Sequence, residues 1–147
     1  MAVYKAQTWH DLPEPYCSDF RYCLCVVWKH LGLPDPTPIQ LDIAAYMQHG
    51  PKRRIIEGYR GVGKSWMAAA FVLWRLRLDP QQKIMVNSAS GAEAKNFTTF
   101  CLQLIRDMQI LRCLEPRREE QRAAVHAFDV GPAKPDKSPS VKSVGIF

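Results

Sequence analysis

The pattern of apolar and polar positions predicts an α/β protein. Apolar residues at helical spacing predict helices at about 18–32, 37–49, 64–78 and 90–111. Short apolar runs predict strands at 54–57, 83–88, 124–130 and 140–147. Residues 1–15 are polar and contain proline, so we expect an irregular arm there. Because strands alternate with helices, we expect a parallel sheet with flanking helices.

Capping residues mark where three of these helices begin or end. Ser18 is expected as the N-cap of the first helix, and Gly32 can end it. Thr37 is a natural N-cap for the second helix, and Pro38 suits its first turn. The stretch 90–93, Ser-Gly-Ala-Glu, predicts a capping box for the fourth helix.

The predicted strand at 54–57 runs into a glycine-rich loop of the form G-x-x-x-x-G-K-S. The motif consists of Gly58, Tyr59, Arg60, Gly61, Val62, Gly63, Lys64 and Ser65. Its glycines allow close approach of backbone N–H groups to an anion, and the next helix adds its positive end. In this pattern Lys64 contacts the β- and γ-phosphates and Ser65 offers its hydroxyl to Mg²⁺. The position after a strand and before a helix favours a nucleotide site.

Two polar residues near this loop allow two interpretations each. Arg60 is either a solvent-facing arginine or a positive charge that acts on the γ-phosphate in cis. Gln40 is either a surface glutamine at a helix start or a contact to adenine, since an amide matches the donor and acceptor at N6 and N7. The residue pattern alone leaves both open.

A hydrolase of this type also needs an acidic residue for its metal ion. An apolar strand that ends in Asp-Glu is the usual form, and the chain contains none. Asp129 follows a strand-like run and is the remaining candidate, whereas Asp107 falls on a predicted helix. The sequence therefore predicts a phosphate cradle without an evident catalytic carboxylate.

Composition narrows the class of partner. The 147 residues carry a formal net charge of +6, which favours anionic partners. Basic residues cluster at 52–54 and recur at Lys134, Lys137 and Lys142. The five cysteines show neither a disulfide framework nor metal-ligand spacing, so we expect reduced thiols. The sequence shows no signal peptide and no apolar run long enough to span a bilayer, so we expect a soluble, intracellular chain without a membrane partner.

Several stretches together resemble the large terminase subunit of tailed phages, also called DNA maturase B in short-tailed phages. They are "FRYCLCVVWKHLGLPDPTPIQLDIAAYMQHGPKRRIIEGYRGVGKSW", "KIMVNSAS" and "AFDVGPAKPDKSPSVKSVGI". The resemblance covers residues 19–146, and "TPIQ", "RGVGKS" and "NSAS" occur in the family's order.

The resemblance implies a P-loop NTPase fold of the RecA/ASCE type and an ATP-driven motor that packages viral DNA into a procapsid. It implies that Gly58–Ser65 bind ATP, that Ser65 meets Mg²⁺ and that Gln40 contacts adenine. Lys64 and Arg60 would then act in catalysis. The segment 88–90 would lie near the part that couples nucleotide state to DNA grip. Expected partners are double-stranded viral DNA, the portal and the small terminase subunit. Full-length members are expected to form a ring in the host cytoplasm.

The chain departs from the family in length. We expect residues 1–36 to form an arm and a helix, and 37–147 to form a truncated ATPase domain without its acidic strand or a nuclease domain. Such a chain is expected to be marginally stable and to bind ATP with little or no turnover. The alternatives are a small complete P-loop NTPase or kinase that uses Asp129, and a basic, non-catalytic nucleic-acid-binding module.

Overall fold

The computed structural model describes residues 18–117 and 119–147, which divide into two compact units. The first unit is 1–74, described from residue 18, and the second is 75–147. The predicted arm at 1–15 lies outside the described residues. The expected boundary between an N-terminal arm and helix at 1–36 and an ATPase domain at 37–147 remains a prediction.

The described residues form three helices, then a strand, a fourth helix and a 3₁₀ helix, and finally three more strands. They are α1 Phe20–His30, α2 Pro38–His49, α3 Lys64–Leu78, β1 Ile84–Ser88, α4 Gly91–Asp107, a 3₁₀ helix Gln109–Leu114, β2 Ala123–Ala124, β3 Ala127–Phe128 and β4 Val141–Gly145. The predictions for the second and third helices and for the strand at 83–88 are confirmed to within one residue.

Helix α1, Phe20–His30, starts two residues later and ends two residues earlier than the predicted range 18–32. Its N-cap is Asp19, not Ser18, because the Asp19 carboxylate accepts a hydrogen bond from Arg21 N at 3.0 Å. Gly32 has a left-handed φ of +71° and ends the helix. Its N–H donates to Lys29 O, and the next N–H, of Leu33, donates to the carbonyl of Trp28. This paired closure turns the chain sharply after the helix.

The core of the first unit is aromatic. The Phe20 ring is fully buried and lies 5.1 Å from Phe71 and 5.6 Å from Trp74, measured between centroids. Gln48, near the end of α2, joins that end to the start of α1, since it accepts from Phe20 N at 2.9 Å and donates to Ser18 O at 2.8 Å. The buried apolar residues of this unit are Phe20, Cys23, Leu24, Val27, Trp28, Ala44, Val62, Met67, Ala69, Ala70, Val72, Leu73 and Trp74.

The predicted strand at 54–57 is wrong. Residues 54–58 have no strand assignment, and no strand occurs within residues 18–74. Ile55, expected at the centre of a buried strand, is 81% exposed. A strand needs a partner for its backbone groups, and residues 18–74 supply none.

The second unit contains a four-stranded sheet of order β1-β4-β3-β2. Strands β1 and β4 are parallel, with Ile84 opposite Val141, and the remaining pairs are antiparallel. The expectation of a purely parallel sheet is therefore wrong. The predicted strand at 124–130 is also corrected, because the chain turns at 125–126 and forms the small hairpin β2–β3.

Helix α4 packs against β1 and β4. Ser90 caps it, as predicted, by accepting from Glu93 N at 3.2 Å. Thr98 donates to the Ser143 hydroxyl of β4 at 2.6 Å in the buried interface. The end of β4 approaches the start of α4 so closely that a Cβ at Gly145 would overlap the backbone of Gly91.

Helix α4 ends at Asp107, four residues before the predicted end. Met108 leaves the helical conformation with ψ of 116°. The chain then forms the 3₁₀ helix, which buries Ile110, Leu111 and Leu114. The apolar residues that led the sequence pattern to predict a longer α-helix are therefore buried by this 3₁₀ helix instead.

Candidate functional site

The glycine loop has the backbone that its glycines permit. Gly61 and Gly63 adopt left-handed φ values of +92° and +88°. Val62 between them is 1% exposed and holds the loop to the core. Its N–H donates to Tyr59 O at 3.3 Å, and Met67 N donates to Gly63 O at 2.9 Å. The loop therefore passes directly into the first turn of α3, whose N-terminal end carries partial positive charge.

A cavity of about 580 Å³ opens at this loop, within the first unit. Its size falls in the range of small-molecule sites. It is lined by Trp28, Leu33, Pro34, Asp35, Thr37, Gln40, Arg60, Gly61, Gly63, Lys64, Ser65 and Trp66. The apolar residues of this lining, Trp28, Leu33, Pro34 and Trp66, are called the apolar wall. The remainder consists of loop backbone, two cations, polar side chains and the carboxylate of Asp35. A lining of this kind can accept a ligand that carries both a flat ring and an anionic group.

The ammonium group of Lys64 bonds to the loop itself. Nζ donates to Gly58 O at 2.6 Å and to Tyr59 O at 3.1 Å. Both acceptors are neutral backbone carbonyls in an exposed position. An anion in the cavity offers a stronger, charge-assisted acceptor to the same ammonium group.

Gln40 joins the loop to α1 and to the start of α2. Its Nε2 donates to Val62 O at 3.0 Å. Its Oε1 accepts from Trp28 Nε1 at 3.2 Å and from Thr37 N at 3.0 Å. The last bond belongs to the capping box of α2, in which Gln40 N also donates to Thr37 Oγ1. The two acceptor sites of the amide oxygen are therefore occupied, and one N–H remains.

The structure brings most of the predicted site residues to one cavity. Gln40, Arg60, Gly61, Gly63, Lys64 and Ser65 all line it. Three others do not line it: Val62 is buried, Tyr59 is 62% exposed, and Gly58 offers its carbonyl to Lys64.

Sequence reasoning missed the aromatic wall. Trp66 follows the motif directly and is 43% exposed, and its ring meets that of Trp28 edge to face at 6.4 Å. The only signal available was the position of Trp66 beside the motif. Trp28 lies within α1 and is 3% exposed.

Asp129 lies in the second unit and its carboxylate is engaged by protein groups. Oδ2 accepts from Arg122 Nε at 3.0 Å and from Arg122 N at 2.9 Å, and Oδ1 accepts from Ser140 N at 3.3 Å. Burial alone would raise the pKa of Asp129, but the hydrogen bonds and charge of Arg122 hold that pKa below its usual value. Asp107, the other acid considered, is the exposed last residue of α4.

The basic clusters of the sequence are exposed. Residues 52–54 lie on the surface, although the Arg54 side chain donates to Pro51 O and Tyr46 O. Lys134, Lys137 and Lys142 are also exposed. Within the described ranges, no three His, Cys, Asp or Glu residues converge as a metal site, and no helix is long and apolar enough to cross a membrane.

The sequence comparison confirms the predicted resemblance to the terminase large subunits of bacteriophages. The chain is 47% identical over 130 residues to the terminase large subunit of Enterobacteria phage T3. The match covers 88% of this chain and 22% of that protein, so the chain spans about a fifth of the length of the relative. No family model matches the chain.

Proposed function

We propose that this chain is the nucleotide-binding part of a phage terminase large subunit and that its glycine loop holds the phosphates of ATP. The observation that supports this most is the loop itself. Two left-handed glycines of a G-x-x-x-x-G-K-S motif open a helix at the rim of a cavity of about 580 Å³. The 47% identity to the T3 protein gives this motif its family context. A P-loop NTPase fold is proposed on the same two grounds.

Each residue of the motif has a proposed role. The backbone of Gly58–Ser65, including Tyr59 and Val62, wraps the phosphates, and Lys64 exchanges its loop carbonyls for the β- and γ-phosphates. Ser65, at the N-terminal turn of α3, is proposed to hold Mg²⁺ through its hydroxyl. Bound Mg²⁺ would offset the phosphate charge. Arg60 lines the cavity as a second cation for the γ-phosphate.

The base is proposed to lie against the apolar wall. Gln40 has one free amide N–H, and a ring nitrogen such as N7 of adenine can accept from it. Trp28 and Trp66 both line the cavity, and their ring centroids lie 6.4 Å apart. The proposed contact of Gln40 is thus a single hydrogen bond, because its oxygen already accepts two.

Turnover by this chain is proposed to be slow or absent. If the chain were an ATPase or kinase, Asp129 would be its metal-binding acid. Both oxygens of Asp129, however, accept hydrogen bonds from Arg122 or Ser140. A carboxylate in that state is a poor metal ligand until those bonds are broken.

The proposals for the whole protein are packaging of double-stranded viral DNA, contacts to the portal and small subunit, a ring assembly and location in the host cytoplasm.

A titration of the chain with a fluorescent ATP analogue and Mg²⁺ tests the proposal. We expect saturable binding that Lys64→Ala weakens by roughly ten- to a hundredfold, since a hydrogen bond to a charged group contributes about 1.5–3 kcal/mol. Lys52→Ala is the matched control, because Lys52 is exposed outside the cavity and the loss of charge is the same. Equal affinities of the two variants would contradict the proposal. Salt-dependent DNA binding in the absence of any nucleotide binding would favour the basic module instead.

A further inference from the structure

We propose that Gln40 is a positioning residue that fixes the glycine loop in its phosphate-binding conformation, beyond any contact it makes with a base. This inference rests on the proposed function, because it concerns the same cavity. It differs from a base contact in what it predicts: Gln40 should influence the binding of phosphates that carry no base.

The key contact is the 3.0 Å hydrogen bond from Gln40 Nε2 to Val62 O. Val62 lies between the two left-handed glycines, so its carbonyl belongs to the peptide group that enters Gly63. In a trans peptide group the carbonyl and the following N–H point in opposite directions. The bond to Gln40 therefore also fixes the direction of the Gly63 N–H, which is one of the donors that this motif offers to phosphate.

Gln40 is itself held in place and can act as a rigid support. Its Oε1 accepts from Trp28 Nε1 of α1 and from Thr37 N at the cap of α2. A side chain with both ends bonded loses little further freedom when it holds the loop. Three segments, α1, α2 and the loop, thus meet in one amide group.

The packing around Gly63 supports the same role. A Cβ placed on Gly63 would lie 3.4 Å from the Trp28 ring and 3.8 Å from Gln40 Nε2. A Cβ on Gly61 would meet nothing within 4 Å. The loop is therefore supported at Gly63 and Val62, on the side where Gln40 and Trp28 stand.

The chain offers a matched pair of substitutions for the test. Gln40→Met keeps the length of the side chain and removes all of its hydrogen bonds. Gln48→Met makes the same change on the same helix, where it breaks two bonds at the start of α1 and leaves the loop untouched. Gln40→Glu keeps an acceptor for Trp28 and Thr37 but loses the donor to Val62.

Isothermal titration with Mg²⁺-tripolyphosphate and with Mg²⁺-ATP supplies the first readout. We expect Gln40→Met to weaken both ligands by a similar factor, about five- to tenfold for a lost hydrogen bond, and Gln48→Met to leave both unchanged. Weaker ATP binding with unchanged tripolyphosphate binding would overturn the inference and leave Gln40 as a base contact alone.

Hydrogen exchange of the backbone amides at 60–65 supplies a readout that needs no ligand. We expect faster exchange in Gln40→Met and Gln40→Glu than in the wild type and in Gln48→Met, at temperatures well below unfolding. Unchanged exchange in both Gln40 variants would overturn the inference. If the wild type binds neither ligand, the proposed function fails, and the exchange rates still decide whether Gln40 fixes the loop.

Discussion

Replacement of Asp129 by asparagine removes one negative charge while it keeps the shape of the side chain. Both carboxylate oxygens accept hydrogen bonds, from Arg122 at Oδ2 and from Ser140 N at Oδ1. Whichever way the new amide turns, its NH₂ group faces a donor. The substitution therefore loses a charge-assisted bond and adds an unfavourable contact.

The expected loss in the free energy of unfolding depends on how exposed the Asp129 and Arg122 side chains are. A hydrogen bond to a charged group contributes about 1.5–3 kcal/mol. The Asp129 side chain is 12% exposed, but that of Arg122 is 39% exposed, so solvent screening moves the expected loss towards the lower end. We expect a loss of about 2 kcal/mol in the free energy of unfolding. For a chain of this size that loss lowers Tm by roughly 4–8 °C.

Thermal unfolding followed by circular dichroism at a series of pH values is the assay. Because the folded-state pKa of Asp129 is lowered, its stabilisation is fully present above the unfolded pKa of about 3.9 and is lost as pH falls through the folded value. The Tm gap between wild type and Asp129→Asn should be constant from about pH 5 to 8 and should close below about pH 4. Asp107→Asn, an exposed position, is the control.

Two results would refute this reasoning. A gap that persists at the lowest pH would show that the ion pair is not its source. An unchanged Tm together with loss of a measurable Mg²⁺-dependent ATP turnover would assign Asp129 to a metal site and would support the NTPase or kinase alternative.

The remaining predictions concern the loop, the core and the thiols. Gly63→Ala should weaken ATP-analogue binding more than Gly61→Ala, because both carry a positive φ but only Gly63 packs against a side chain; equal effects in the titration would contradict this. Phe20→Ala should lower the free energy of unfolding by about 3–5 kcal/mol in denaturant titrations, since the ring is fully buried; a loss below about 1 kcal/mol would show that its site collapses. Burial raises the pKa of Cys101 to about 12, so iodoacetamide near pH 8 should label exposed Cys113 before Cys101, and mass spectrometry should find Cys101 labelled only after denaturation.

The helices of the first unit could be predicted because their signals are local. Thr37, Pro38 and the apolar spacing that follows define α2 within the chain segment itself. Gly32 closes α1 through bonds that reach back only a few residues. Signals of this kind need no knowledge of the tertiary structure.

The strands could be predicted less well because a strand depends on its partner. Ile55 and Ile56 form an apolar run, yet the described part of their unit contains no strand that pairs with them, and Ile55 is exposed. The run at 124–130 reads as one strand, but the turn at 125–126 is decided by pairing between β2 and β3. Apolar runs indicate the preference of a segment and do not show where its hydrogen bonds go.

The motif of the candidate site could be predicted from the sequence, but the contacts among its residues could not. The glycine spacing predicts a phosphate loop, and both Lys64 and Ser65 line the cavity. The spacing gives no sign that the Gln40 amide bonds to Val62, because that contact joins residues 22 positions apart. The hydrogen bond that Trp28 Nε1 donates to the Gln40 oxygen, and the aromatic wall, depend on the packing of α1 and could not be predicted from the sequence.

The close approach of β4 to α4 limits which substitutions this sequence can tolerate at the contact. At Gly145 any side chain would overlap the backbone of Gly91, so every substitution there requires the helix to move away from the sheet. At Gly91 the space beyond the Cα is open, and the same contact tolerates an alanine. The two positions should therefore differ in how much they vary among homologous sequences. Position 145 should remain glycine wherever α4 packs this closely on β4, whereas position 91 can vary.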